Sequence, residues 1–248
     1  MYQSIELSNI LEDLHDSSKM LITIVGLGGV GSWLVEPVIR ATISNGSKPN
    51  VLLIDGDVYE SSNANRQICH PKLVGMNKAE ATAIRMMSYF PDLKIVPLNE
   101  YLCDRNVRQI SRIVTKAQIS FICVDNNFAR QIASLYMSGF VLFPGNEYID
   151  GNCFINMPSR DHTITEAHPE VMDDETGDRS EMSCEEISNL DGGEQIITTN
   201  FMAAAHALQA YYHVLNNLKE GTPVNVRETY FDIKQCTSSA VLTDGGRR

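Results

Sequence analysis

The sequence predicts an α/β fold: a mostly parallel sheet with helices on both faces, continued by a short antiparallel extension. Three observations carry that expectation. Short apolar runs at 20–25, 51–54 and 119–124 alternate with segments of helical periodicity. A glycine-rich turn, Gly26-Leu27-Gly28-Gly29-Val30-Gly31, stands directly between the first run and the helical segment after it. Two of the runs give way to an aspartate, Asp55 and Asp125, at the strand ends where ligands of parallel sheets collect.

Taken in order, Ile5, Leu7, Ile10, Leu11 and Leu14 have helical spacing, so residues 1–19 read as an amphipathic helix leading into the domain. The run at 20–25, the glycine turn, a helical segment to about 43 and the run at 51–54 make a βαβ unit, which gives the fold its Rossmann-like character. Beyond it, 77–89 is helical in pattern, 93–98 extended, 107–116 helical and 119–124 a buried strand. Residues 140–157 read as two or three short strands, with turns at Pro144-Gly145-Asn146 and Gly151-Asn152. An acidic segment over 158–195, rich in Asp, Glu, Ser and Gly, reads as a crossover loop ordered by a partner. A long helix over 196–218 and a terminal strand over 224–233 complete the chain.

At 248 residues and 43% hydrophobic the chain can bury one large core, so residues 1–248 are expected to form a single domain. No apolar run reaches the roughly eighteen residues of a membrane span, and the first twenty residues lack a signal-like apolar core. The expectation is a cytoplasmic protein without a membrane partner. The formal charge of −11 is confined: residues 161–194 hold twelve acids and one arginine, which accounts for all of it. The remainder is near neutral and has no basic stripe, which argues against nucleic acid as a partner. The six cysteines, Cys69, Cys103, Cys123, Cys153, Cys184 and Cys236, form no CxxC pair and read as mostly buried thiols. His162, His168, Cys153 and Cys184 could be assembled on paper as zinc ligands, but their spacing matches no standard zinc motif.

A glycine turn that opens a helix lets phosphates approach backbone amides, and a carboxylate at the next strand end can accept hydrogen bonds from ribose hydroxyls. Those features also suit a nicotinamide-dependent oxidoreductase. The next segment separates the two readings. It runs Asp55-Gly56-Asp57-Val58-Tyr59-Glu60-Ser61-Ser62-Asn63-Ala64-Asn65-Arg66-Gln67, is followed by Lys78, and is matched later by Asp125-Asn126 with Arg130 a helical turn beyond. This series resembles the signature of the ThiF-type, ubiquitin-activating superfamily of adenylyltransferases, strongly over residues 20–137 and more weakly to about 218. The resemblance implies that Arg66 and Lys78 hold phosphates and stabilise departing pyrophosphate, and that Asp125 ligates the Mg²⁺ that accompanies ATP. It implies further nucleotide contacts from Gly26, Gly28, Gly29, Gly31, Asp55, Asn63, Gln67 and Asn126. On this reading Lys78→Ala should abolish adenylylation and leave the fold intact.

The resemblance also implies a substrate: the C-terminal glycine carboxylate of a ubiquitin-like or sulfur-carrier protein, or in some relatives a peptide or modified-tRNA carboxylate. It implies a homodimer as well. Cys184, placed ahead of the final long helix, is the candidate for a thiol that receives the activated acyl group, and an ordinary thiol near a helix start is the alternative. Its neighbours Glu181, Glu185 and Glu186 would raise its pKa, while a helix amino terminus would oppose them. Two departures stand out: there are no paired cysteines for the structural zinc of many relatives, and residues 1–19 contain no arginine to reach a partner's nucleotide site. The chain therefore resembles a zinc-free branch. A non-catalytic nucleotide-binding subunit of an activating complex remains the alternative beside the oxidoreductase.

Overall fold

The computed structural model describes residues 14, 19–103, 106–114, 119–159, 163–172 and 196–243. Apart from Leu14 and Lys19, the helix expected over 1–19 lies outside the described residues, as do Cys184, His162 and most of the acidic segment.

Eight strands form one sheet in the order β3-β2-β1-β4-β5-β6-β7-β8. The central strand β1 (Leu21–Val25) pairs in parallel with β2 (Asn50–Ile54) on one side and β4 (Ile119–Ile122) on the other. Strands β3 (Lys94–Leu98) and β5 (Phe140–Asn146) extend the parallel set outward. From β5 the sheet continues antiparallel through β6 (Asp150–Asn156), β7 (Val226–Asp232) and β8 (Thr237–Leu242). The chain leaves β1 toward β2 and β3, then returns past β1 to β4. Between the ends of β1 and β4, where the winding reverses, a doubly wound sheet opens a crevice.

Burial explains the parallel half. Ile22 and Ile24 of β1 and Val51 and Leu53 of β2 pack into one core with α1 (Gly31–Ser44), α2 (Lys78–Tyr89) and α6 (Ile197–Glu220). Their alternates Leu21, Val25, Leu52 and Ile54 pack on the opposite face, with α3 (Val107–Val114) and α4 (Asn127–Tyr136). A strand apolar on both faces has to be covered on both, which is why these runs read as continuous rather than alternating. The helix α6 ends at Gly221, whose φ of 66° closes it in the left-handed conformation.

The antiparallel end is larger than the sequence suggests. Strand β8 was not expected at all: its residues, Thr-Ser-Ser-Ala-Val-Leu, are all exposed and carry no core pattern, so cross-strand pairing with β7 defines it. Part of the acidic segment is structured too. Ile164–Ala167 forms a short helix, α5, and Pro169–Met172 a 3-10 turn, which deliver Ile164 and Val171 to the core. The Thr163 amide donates to Glu166 Oε2 at 2.9 Å and the Ile164 amide to Asn156 Oδ1 at 2.7 Å, which fixes the start of that turn. None of the helices among the described residues is long and apolar enough to cross a membrane.

Candidate active site

A cleft of about 1220 Å³ opens at the carboxyl ends of the parallel strands. Its floor is the glycine turn. Gly26 has a φ of +82°, its amide donates to Ile54 O at 2.9 Å, and a Cβ there would stand 2.6 Å from the Cys123 carbonyl. A Cβ on Gly31 would fall 1.9 Å from the Gly26 carbonyl. Both positions therefore need glycine because backbone lies against backbone. Gly28 and Gly29 line the cleft.

Asp55 stands beside this turn with 8% of its surface exposed. Oδ2 accepts from the Leu27 amide at 2.6 Å and Oδ1 from the Asp57 amide at 2.8 Å. Burial pushes its pKa up to about 6, against the opposing pull of the nearby Lys78 ammonium. It is thus an ionised acceptor at neutral pH, and it ties the glycine turn to the strand end.

Lys78 is the first residue of α2 and is 1% exposed. Its Nζ lies 2.8 Å from Asp57 Oδ2, and the Tyr101 hydroxyl donates to Asp57 Oδ1. Asn77 caps the helix through Oδ1, accepting from Ala79 N at 2.9 Å and Glu80 N at 3.1 Å. Its Nδ2 donates to the carbonyls of Asp55 and Asp57 at 2.8 and 2.9 Å, so one side chain joins the acid-bearing loop to the helix that carries the lysine. The Lys78→Ala expectation changes here. Truncating Lys78 would also strip Asp57 of a buried counter-charge, so Lys78→Ala is expected to destabilise the fold as well.

Arg66 and Gln67 follow a 3-10 turn at Ser61–Asn65, and both line the cleft. The Arg66 carbonyl accepts from Trp33 Nε1 at 3.0 Å, and the residue is half-buried at the cleft wall. Asn63 sits elsewhere: it is buried, its Oδ1 accepts from the Glu60 amide at 3.1 Å, and it shapes the turn without lining the cleft. Gln67 is buried with Oε1 unpartnered. On the other side of the crevice Asp125 is exposed at the cleft, Asn126 Oδ1 caps α4 through Ala129 N at 2.8 Å, and Arg130 reaches back to the Val124 carbonyl at 3.1 Å.

Among the described residues no group of three or more His, Cys, Asp or Glu side chains could hold a metal ion. Asp125 is a single carboxylate facing the cleft, which fits Mg²⁺ held chiefly by nucleotide phosphates. Cys153 is fully buried and His168 is engaged with two glutamates, so the described half of the paper zinc set does not converge. Sequence reading missed Tyr101 beside Asp57 and, on the far wall, Asn152, Glu170 and Tyr230, and considered His168 there only as a zinc ligand. Tyr101, just past the end of β3, shares the strand-end position that singled out Asp55; Asn152 and Tyr230 meet only through antiparallel pairing, and His168 and Glu170 are brought in by the 163–172 turn.

Fold and site together define a Rossmann-like α/β protein with a glycine turn, three basic residues, Arg66, Lys78 and Arg130, and the exposed carboxylate of Asp125 around its switch-point cleft. The chain belongs to the ThiF family, whose model matches residues 4–243. Over 131 residues it is 30% identical to ubiquitin-like modifier-activating enzyme 5 of Drosophila willistoni, covering 49% of this chain and 31% of that protein. Over 89 residues it is 36% identical to the tRNA threonylcarbamoyladenosine dehydratase of Escherichia coli K12, covering 36% of this chain and 31% of that one. The match thus spans less than a third of either relative. Among solved structures, E. coli MccB with ATP superimposes with a TM-score of 0.64 at 16% identity, over 94% of this chain and 65% of that one. The microcin C7 biosynthetic enzyme MccB in complex with N-formylated MccA gives 0.66 at 17% identity, over 94% and 66%. At that identity the likeness shows a shared fold.

Proposed function

We propose that this protein uses ATP and Mg²⁺ to adenylylate a C-terminal carboxylate, that of the terminal glycine of a ubiquitin-like or sulfur-carrier protein. The observation that carries the reading is the convergence of Arg66, Lys78 and Asp125 with the glycine turn around one cleft. A carboxylate oxygen attacks the α-phosphorus, the α–β bridging P–O bond breaks, and pyrophosphate leaves with the electron pair. Two anions must meet for this to happen, so fixed positive charge contributes most to lowering the barrier. The glycine turn presents amides to the phosphates, Arg66 and Lys78 offset the charge that builds on pyrophosphate, and Asp55 accepts from the ribose. Mg²⁺, held by Asp125 and phosphate oxygens, would neutralise further charge. Membership of the ThiF family supports this assignment, and leaves the oxidoreductase expectation without support. We place the reaction in the cytoplasm and, by analogy with the family, in a homodimer.

A second reading, a non-catalytic nucleotide-binding subunit, is favoured by one observation: Lys78 is already engaged by Asp57. ATP–pyrophosphate exchange separates the two. With Mg²⁺ present, exchange that appears only on adding one carrier ending in Gly-Gly would support adenylylation and identify its substrate. Nucleotide binding without exchange, whichever carrier is supplied, would favour the subunit reading.

A further inference from the structure

The two edges of the sheet are built differently. At one edge β3 carries Lys94 and Pro97, and α2 packs along it. A charge and a residue without an amide proton are what keep a strand edge from pairing further. At the other edge β8 reads Thr237-Ser238-Ser239-Ala240-Val241-Leu242, with no charge, no proline and every residue exposed. None of these residues lines the cleft.

Register fixes the direction of the β8 backbone. In an antiparallel ladder each residue turns its N–H and C=O to the same side, and the side alternates along the strand. Ile233 N donates to Ile149 O at 2.8 Å, so Ile233, Phe231 and Thr229 face β6, and Asp232, Tyr230 and Glu228 face β8. Thr237, Ser239 and Val241, the register partners of that second set, are therefore turned inward, and Ser238, Ala240 and Leu242 are turned outward. Thr243 N donates to Asn225 O at 2.8 Å and so keeps the same alternation beyond the bulge. The amides and carbonyls of Ser238, Ala240 and Leu242 thus point away from β7, and among the described residues no strand pairs with them.

The side chains determine which strand fits this edge. Ser239 pairs with Tyr230 and Ser238 with Phe231, so on each face of the sheet a small hydroxyl stands outside an aromatic ring and leaves a shallow recess. Val241 and Leu242, 44% and 58% exposed, are the bulky groups of the same strand. With β8 laid antiparallel to itself and Ala240 opposite Ala240 on a two-fold axis, Leu242 of each copy falls against Ser238 of the other, and Val241 against Ser239. Each bulky group then fills a recess, and only two methyl groups meet at the axis. The outward residues all become hydrogen-bonded pairs, which gives about six backbone hydrogen bonds. No like charges face each other on the uncharged strand. We propose that β8 is a self-pairing edge to which a second copy of this chain adds, joining two eight-stranded sheets across a two-fold axis. The pairing stands apart from the nucleotide cleft and does not depend on adenylylation.

Hydrogen–deuterium exchange on the ¹⁵N-labelled full chain reads each edge amide separately. At high protein concentration the Ser238 and Leu242 amides should exchange roughly tenfold more slowly in the wild type than in Ala240→Lys, which sets two lysines face to face on the axis. Ser239 and Val241 are bonded to β7 in either case, so their equal exchange would report an intact hairpin. Ala240→Glu should behave as the lysine variant does, and an equimolar mixture of the two should restore slow exchange, because the axis then carries opposite charges. Ala240→Pro removes an outward N–H that β7 does not use, and should abolish the protection while the hairpin persists. Edge amides that exchange at one rate in the wild type and in Ala240→Lys, or a mixture that exchanges no more slowly than its components, would overturn the pairing.

Discussion

Lys78 occupies an uncomfortable place for a cation. It is the first residue of a helix, where the backbone amides already concentrate partial positive charge, and it is almost fully buried. Asp57, at 2.8 Å, makes that position tenable, and an arriving phosphate would have to share or displace that carboxylate. Asp55 is a second acid under strain, because burial pushes its pKa from 3.8 to about 6. In the unfolded chain the group ionises first, so between about pH 4 and 6 the native state holds a proton that the unfolded state has lost. Stability from this group is therefore highest below pH 4 and falls as pH rises through 6, by up to about 3 kcal/mol. Urea unfolding across that range should show Asp55→Asn flattening the slope; an unchanged slope would mean the carboxylate is not held protonated. The glycines, Asp55, Arg66, Lys78 and Asp125 were legible because each belongs to a short motif tied to one strand end. Asn63 was legible only in part: its spacing identified the segment, but whether a carboxamide faces the ligand or its own turn depends on a bond to the Glu60 amide.

At the scale of elements, α2 shows how one polar side chain can set a site. Asn77 caps the helix with its oxygen and holds the carbonyls of Asp55 and Asp57 with its nitrogen. Removing a cap alone costs about 1 kcal/mol. Asn77→Ala also strands two carbonyls, so a loss of about 2 to 3 kcal/mol is expected in chemical denaturation. A loss below about 1 kcal/mol would show that the loop carbonyls find other donors. The elements that sequence periodicity located well, α1, α2, α6 and the strands β1 to β5, owe their stability to buried apolar faces that recur along the chain. Strand β8 has no buried residue, and its existence depends on a partner strand rather than on its own composition. The turn at 163–172 was obscured for a similar reason: two apolar anchors, Ile164 and Val171, are diluted among acids and histidines.

At the scale of the molecule, the cleft has two walls of different origin. The wall that carries the glycine turn comes from the parallel half, where each strand ends at the same edge and the relevant residues follow directly in sequence. The opposite wall comes from the antiparallel half, where Gly145, Asn152 and Tyr230 meet across strands. Register of that kind is settled by the assembled sheet, which is why the sequence motifs describe one wall and are silent on the other. The parallel half also fastens the glycine turn on both sides: Gly26 N–H to Ile54 O at 2.9 Å, and Cys123 N–H to Val25 O at 2.7 Å. The turn cannot shift without breaking sheet contacts, so the incoming ligand should meet a receptor surface that is ready before the encounter. Stopped-flow association of ATP should then be a single exponential whose rate climbs linearly with concentration; a rate that levels off would reveal a slow rearrangement preceding or following capture.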